Sequence, residues 1–234
     1  MSAGLQFSLA ILASALLGSI PFSLLIARYV GGIDLRKHGS GNVGATNVAR
    51  TMGPKWGTVA LLLDAFKGGL PTWLFPALMT AHVTGLANEQ TCIGAGAVIG
   101  HMFSPFLNFK GGKGVATALG VICVMAPLSS GCALGVFLVT FFAFRIVSLS
   151  SIIASLSYAV VEFSTQGWHL WSNNAWARGV FAVVIPSLIL LRHRANIVRL
   201  WQGTEPRLQF KKSGGDIAPD AKSAESTEAA KSSR

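Results

Sequence analysis

The feature that most constrains this chain is a succession of apolar runs about as long as a bilayer is thick, with nearly every Lys and Arg confined to alternate connections between them. Runs of this length match the hydrocarbon core, and a backbone inside that core has to satisfy its own hydrogen bonds. The runs fall near residues 5–27, 56–80, 91–109, 115–128, 131–147, 151–165 and 176–191. The fourth and fifth are short, and Pro127-Leu128-Ser129-Ser130-Gly131 turns the chain between them. The pattern predicts an all-α polytopic membrane protein of seven transmembrane helices.

Charge sets the orientation. Arg28, Arg36, Lys37, Arg50, Lys55, Lys110, Lys113 and Arg145 follow the first, third and fifth runs, and further basic residues begin at Arg192 after the seventh. Residues 81–90, 129–130 and 166–175 carry none. Cationic connections stay in the cytoplasm, so the N-terminus is expected outside and the C-terminus inside. Trp168, Trp171 and Trp176 fit an aromatic belt on the outer side. Residues 1–6 hold no positive charge and lead into a run long enough to span, which predicts a membrane helix rather than a cleaved signal peptide. Residues 1–210 read as the membrane domain. Residues 211–234 hold almost no large apolar side chain and read as a disordered cytoplasmic tail.

Composition bears on the alternatives. Only 12% of residues are charged, against roughly 25% in soluble domains, and 51% are hydrophobic. The net charge of +10 raises nucleic acid as a partner, but the basic residues lie between apolar runs, where they set topology and meet anionic lipid or substrate. Cys92, Cys123 and Cys132 lie in apolar runs without metal or redox spacing and are expected as small buried hydrophobes.

Three polar clusters fall on the predicted cytoplasmic side. The first is GSGNVGATNVAR, residues 39–50. Its glycines let backbone N–H groups approach an anion, its Ser, Thr and Asn add neutral donors, and Arg50 adds a planar fork that matches phosphate. The second is GHMFSPFLNFKGGKGVAT, residues 100–117, and the third is HRANIVRLWQGTE, residues 193–205. Gly39, Gly41 and Gly44 satisfy a dinucleotide-binding spacing, but membrane runs flank them instead of a βαβ unit. Lys113 is followed by Gly114 rather than Ser or Thr, so residues 110–114 are not a nucleotide P-loop. No cofactor and no metal are implied.

In this order the three clusters resemble the motifs of the PlsY family, bacterial membrane acyltransferases that acylate glycerol 3-phosphate with acyl phosphate. The resemblance runs from the first apolar stretch through Glu205. It implies a multi-pass protein of the bacterial cytoplasmic (inner) membrane with its active site facing the cytoplasm. It further implies acyl phosphate and glycerol 3-phosphate as substrates, and lysophosphatidic acid as product. Membrane lipids are expected around the chain; oligomeric state is not legible. Ser40 and Asn42 are the candidate catalytic residues. Candidate substrate-binding residues are Gly41, Thr46, Asn47, Arg50, Lys110, Gly111, Gly112, Lys113, His193, Arg194, Asn196 and Glu205.

Physical chemistry supports that set, because two phosphate-bearing substrates need anion donors in two places and an apolar entrance. Arg50, Lys110, Lys113, Arg194 and Arg199 are the cations available. His193 and Asn196, three apart, share a helix face. Arg199 also reads as an interfacial residue touching lipid, and Glu205 equally as a ligand or as the partner of an Arg from either other cluster. Asp34 is expected to neutralise Arg36 or cap its loop. Asp64 and Lys67 lie inside a run, where each charge costs on the order of 2.5–3.5 kcal/mol, so they are expected to pair with each other. His101 reads as a hydrogen-bonded packing residue, and Glu162 and Arg145 as interfacial.

Other glycerol-phosphate acyltransferases place Asp five positions after a His. Here the residues at that offset are Val43, Ala87, Phe106, Asn174 and Val198. No Ser nucleophile elbow is present either. Direct acyl transfer follows, with a substrate phosphate taking the hydroxyl proton. A transporter or exchanger of a phosphorylated metabolite is the competing class, but it places its polar groups near the midplane and often in repeated halves. A non-catalytic lipid-binding scaffold would not need the neutral Ser, Asn and Thr set.

Overall fold

The computed structural model describes residues 1–172 and 175–208; the tail expected at 211–234 lies outside the described residues. Among those residues the chain is helical throughout, with ten α-helices and three short 3₁₀ turns. They are α1 (Ala3–Ser19), α2 (Phe22–Gly31), α3 (Ala45–Met52), α4 (Pro54–Ala77), α5 (Leu86–Met102), α6 (Val115–Met125), α7 (Pro127–Phe144), α8 (Val147–Gln166), α9 (Trp176–Arg192) and α10 (Arg194–Trp201).

The breaks follow from proline and from local capping. The first apolar run parts at Pro21, whose ring and missing N–H interrupt the ladder. At this break the Ile20 carbonyl accepts hydrogen bonds from the Phe22 backbone N–H at 3.1 Å and from Lys67 Nζ at 2.7 Å. The third run ends at Met102 rather than 109, because Pro105 opens a 3₁₀ turn that swings the chain out of the helix. The turn expected over 127–131 is instead confined to Ala126. Pro127 is the first residue of α7, a position where its missing N–H has no helical partner to lose.

Three helical stretches are long and apolar enough to cross a membrane by themselves: Ala3–Gly31, Pro127–Phe144 and Val147–Trp171. Trp176–Arg192 and Arg194–Trp201 form a pair bent by 61°. The 24-residue α4 carries the buried charges Asp64 and Lys67, and α6 has only 11 residues.

Polarity is inverted relative to a soluble bundle. Large apolar side chains such as Leu12, Leu62, Phe66, Trp73, Phe142 and Val160 are exposed, whereas Asp64, Lys67, Glu89 and Glu162 are buried. That arrangement suits a hydrocarbon solvent, in which charges turn inward and pair. The ion pair expected from spacing is present, Lys67 Nζ lying 2.7 Å from Asp64 Oδ1. Small residues let backbones meet: a Cβ on Gly18 or Gly100 would run into the Ala97 or Ala15 carbonyl across the α1–α5 contact.

Two expectations are corrected here. Glu162 is fully buried rather than interfacial, because Arg178 pairs with it and Ser129 Oγ donates to it at 2.5 Å. Cys123 and Cys132 are exposed on the apolar exterior, and Cys92 is only half-buried. In a lipid solvent, an apolar residue gains nothing by facing inward.

Candidate active site

The first polar cluster is folded around one amide. Asn47 is buried at the start of α3; its Oδ1 accepts from the Ser40 backbone N–H at 2.9 Å, and its Nδ2 donates to the carbonyls of Leu35, His38 and Asn42. Gly39 adopts φ +60°, and a Cβ there would collide with the Asn47 amide, so glycine is required on both counts. The clamp leaves the Ser40 and Asn42 side chains on a cavity wall, with Arg50 two turns of chain away on the same wall. At the entrance to the loop Asp34 caps Arg36 N at 3.1 Å and pairs with its guanidinium. The Arg36 side-chain hydrogen bond holds the Asp34 carboxyl well below the usual carboxylate range.

The second cluster is a backbone strap. Gly111 and Gly112 donate to the carbonyls of Met102 and His101, both at 3.2 Å. A Cβ on Gly111 would strike the His101 carbonyl, and one on Gly112 the His101 ring. Arg192, at the end of α9, straps the outer side: its guanidinium donates to Met102, Gly111 and Gly112 carbonyls and lies over the Phe103 ring at 5.4 Å. The strap delivers Lys113, whose Nζ donates to Asn196 Oδ1 at 2.5 Å.

The third cluster holds that lysine in place. Glu205 Oε1 accepts from Asn196 Nδ2 at 2.5 Å and from Ser148 Oγ at 2.7 Å, while Oε2 accepts from Arg199 Nε at 2.6 Å. Burial raises the Glu205 carboxyl, but the hydrogen bonds from Ser148, Asn196 and Arg199 outweigh it and hold the group below its ordinary value. Burial pushes the Lys113 ammonium down to about 8 against the pull of Glu205, and Arg199, Arg50 and Arg192 push it further the same way. His193, at the α9–α10 bend, sits 2.8 Å by Nδ1 from the Ile189 carbonyl. A carbonyl only accepts, so Nδ1 carries the proton and Nε2 the lone pair. Burial, then the Lys113 charge, lowers the ring to about 4, so it is neutral near pH 7.

These walls enclose a cavity of about 870 Å³. Ser40, Asn42, Thr46, Asn47, Arg50, Lys113, His193, Asn196 and Glu205 line it, and Gly41, Lys110, Gly111, Gly112 and Arg194 do not. Gly41 lies in the loop's turn, donating to His38 O at 3.1 Å, and Lys110, Gly111 and Arg194 line a separate, smaller cavity. Arg199 lines the main cavity and pairs with Glu205 of its own cluster; it does not merely face lipid, and Glu205 does not pair with an Arg from another cluster. Away from its polar end the cavity becomes an apolar gallery between α6, α7, α8 and α9, along Leu119, Ile122, Leu134, Ile185 and Ile189 to Tyr158 and Phe181. Val147 and Tyr158 bracket about 16 Å along α8 at 1.5 Å per residue.

Several wall residues escaped the sequence reading. Arg192 reads from the sequence as a topology charge and His101 as packing, and nothing in the sequence singles out Ser148 or Ser151 individually. His101 does pack against Gly112, yet it also lines the cavity with Asp64, whose Oδ1 is 3.7 Å from its Nδ1. The repeated Ser148, Ser150 and Ser151 in so apolar a stretch were the signal available.

Fold and site together define a multi-pass helical membrane protein whose cation-lined cavity opens into an apolar gallery. The sequence model described as glycerol-3-phosphate acyltransferase matches residues 8–203. A glycerol-3-phosphate acyltransferase of Desulforudis audaxviator is 41% identical over 199 residues, covering 85% of this chain and 94% of that one. One from Leptospira borgpetersenii serovar Hardjo-bovis is 44% identical over 202 residues, covering 86% and 91%. Among solved structures, the glycerol 3-phosphate form of PlsY (YgiH), an integral membrane glycerol 3-phosphate acyltransferase, is 39% identical with a TM-score of 0.76, covering 87% of this chain and 96% of that one. Its lysophosphatidic acid form gives 0.74. The chain belongs to the glycerol-3-phosphate acyltransferase family and is an acyltransferase.

Proposed function

We propose that the protein transfers the acyl group of acyl phosphate to the 1-hydroxyl of glycerol 3-phosphate, releasing lysophosphatidic acid and inorganic phosphate at the cytoplasmic face of a bacterial inner membrane. The observation that carries this reading is the joining of two environments in one cavity: a polar end bearing Arg50 and Lys113, and an apolar gallery on the scale of a fatty acyl chain. Acyl phosphate has both parts, and glycerol 3-phosphate needs only the first.

In this reading Arg50 and Lys113 offset the repulsion between the two phosphates, a fork for one and a point charge for the other. His193 Nε2 accepts a hydrogen bond from the glycerol hydroxyl and aims its oxygen at the carbonyl carbon. Ser40 and the neighbouring backbone amides face the developing oxyanion. The hydroxyl oxygen bonds to the carbonyl carbon, the carbon–oxygen bond to phosphate breaks, and the proton passes to a substrate phosphate, whose second pKa lies near 6. A histidine held near 4 is a poor base at neutral pH but a good acceptor for orientation. Acyl phosphate is already activated, so orientation and charge compensation supply most of the catalysis.

The test is inorganic phosphate release by the purified full chain in detergent. Release should require both palmitoyl phosphate and glycerol 3-phosphate. Lysophosphatidic acid formed from palmitoyl-CoA, with none formed from palmitoyl phosphate, would overturn the donor assignment.

A further inference from the structure

Behind the Gly111–Lys113 strap lies a second cavity of about 410 Å³. Four cations line it, Lys110, Lys113, Arg192 and Arg194, and no carboxylate does. Among the described residues neither Lys110 nor Arg194 forms an ion pair, while the Arg192 guanidinium is bonded to neutral carbonyls that leave its charge uncompensated. Asn42 and Gly111 also line it, and the remaining wall is apolar: Phe103 and Leu191 are 40% and 66% exposed, and Phe109, next to Lys110 in the chain, adds a further side chain 65% exposed at its edge. Uncompensated positive charge next to exposed apolar side chains, at the end of a membrane helix, matches a ligand with an anionic head and a hydrocarbon tail. A free anion would not need the apolar rim.

We propose that this cavity seats the phosphate of a lipid at the membrane edge, joined to the main cavity through the shared Asn42, Lys113 and Arg192. The lipid phosphate has two sources, an anionic phospholipid of the bilayer or a lysophosphatidic acid leaving the main cavity. The second source rests on the acyl-transfer reading and the first does not. Lys113 borders both cavities, so a product phosphate moving outward would keep one cation throughout the transfer.

The test uses native mass spectrometry of the full chain in detergent micelles, without turnover, so retention of lipid and loss of activity are read separately. The probes are dioleoylphosphatidylglycerol, oleoyl lysophosphatidic acid, dioleoylphosphatidylcholine and inorganic phosphate. The wild type should retain an anionic lipid in preference to phosphatidylcholine. Lys110→Ala combined with Arg194→Ala should weaken that retention by roughly 30-fold, the effect of losing two interfacial cations. Lys110→Arg with Arg194→Lys should restore it. Stronger retention of lysophosphatidic acid identifies the product as the ligand, and stronger retention of phosphatidylglycerol identifies bilayer lipid. Both removed side chains are exposed, so the variant tests the site without opening the core. Unchanged retention in the double-alanine variant would overturn the proposal. So would retention lost in Arg50→Ala but not in the double variant, which would place the lipid in the main cavity, or displacement of the lipid by inorganic phosphate at equal concentration.

Discussion

At the scale of single residues, Asn196 shows how a polar site is held in register. Its amide nitrogen is fixed by Glu205, which forces its oxygen toward Lys113, and that lysine is the only cation touching both cavities besides Arg192. Lys113 with a pKa of about 8 carries its charge below that pH and loses it above. kcat/KM reports the free enzyme, so it should fall as pH rises through about 8, and Lys113→Arg should remove that limb. A profile flat to pH 9.5, or an unchanged limb in Lys113→Arg, would sever the lysine from binding. Arg50 forms no ion pair among the described residues and is free to meet phosphate. Arg50→Ala should lower kcat/KM by about 1.5–3 kcal/mol, roughly 10- to 150-fold, as expected for a hydrogen bond to a charged group. Wild-type kinetics in that variant would remove Arg50 from the site. Both residues were legible because glycine-rich polar sequence between apolar runs has few structural uses. Ser148 was not: its Glu205 partner lies 57 residues away, and a helical serine usually bonds its own backbone.

At the scale of elements, the apolar runs gave the helices, and single residues moved their ends. Pro21, Pro105 and Pro127 all shape breaks, each following a residue that has left helical geometry, and only the last opens a long helix. The gallery depends on four helices packing together and was invisible in any one of them. Its far end is the edge-to-face pair of Tyr158 and Phe181, with ring centroids 6.2 Å apart. One turn beyond, Glu162 and Arg178 close the bundle. A floor so placed sets how much acyl chain the gallery accepts. Phe181→Ala should shift the ratio of kcat/KM for stearoyl over lauroyl phosphate upward, and Ala154→Phe, which narrows the wall, should shift it downward. Each missing or misplaced methylene is worth about 1–3 kcal/mol in such pockets. Ratios unchanged in both variants, with activity retained, would move the chain-length selector elsewhere.

At the scale of the whole molecule, the bundle keeps its chemistry at one end and an ion-paired seal at the other. Glu89, capping Val83 and Thr84 and bonded to His82, and Glu162, bonded to Arg178, lie at the end away from Lys113 and Arg50. The charge asymmetry of the connections then decides which end meets the cytoplasm. Seven crossings require α6 and α7 to count separately, although the 11 residues of α6 extend only about 16 Å against a hydrocarbon core of about 30 Å. In a seven-crossing arrangement its packing against α4, α5 and α7 would let so short a helix serve as one limb of a crossing. Reporter fusions read this directly. One at Met1 and one after Pro127 should report outside, and one after Leu208 should report cytoplasmic. A cytoplasmic reading after Pro127, with the two ends still on opposite sides, would make α6 and α7 a re-entrant pair and lower the count to five. That result would leave the cavity intact but detach the positive-inside argument from the Ala126 break.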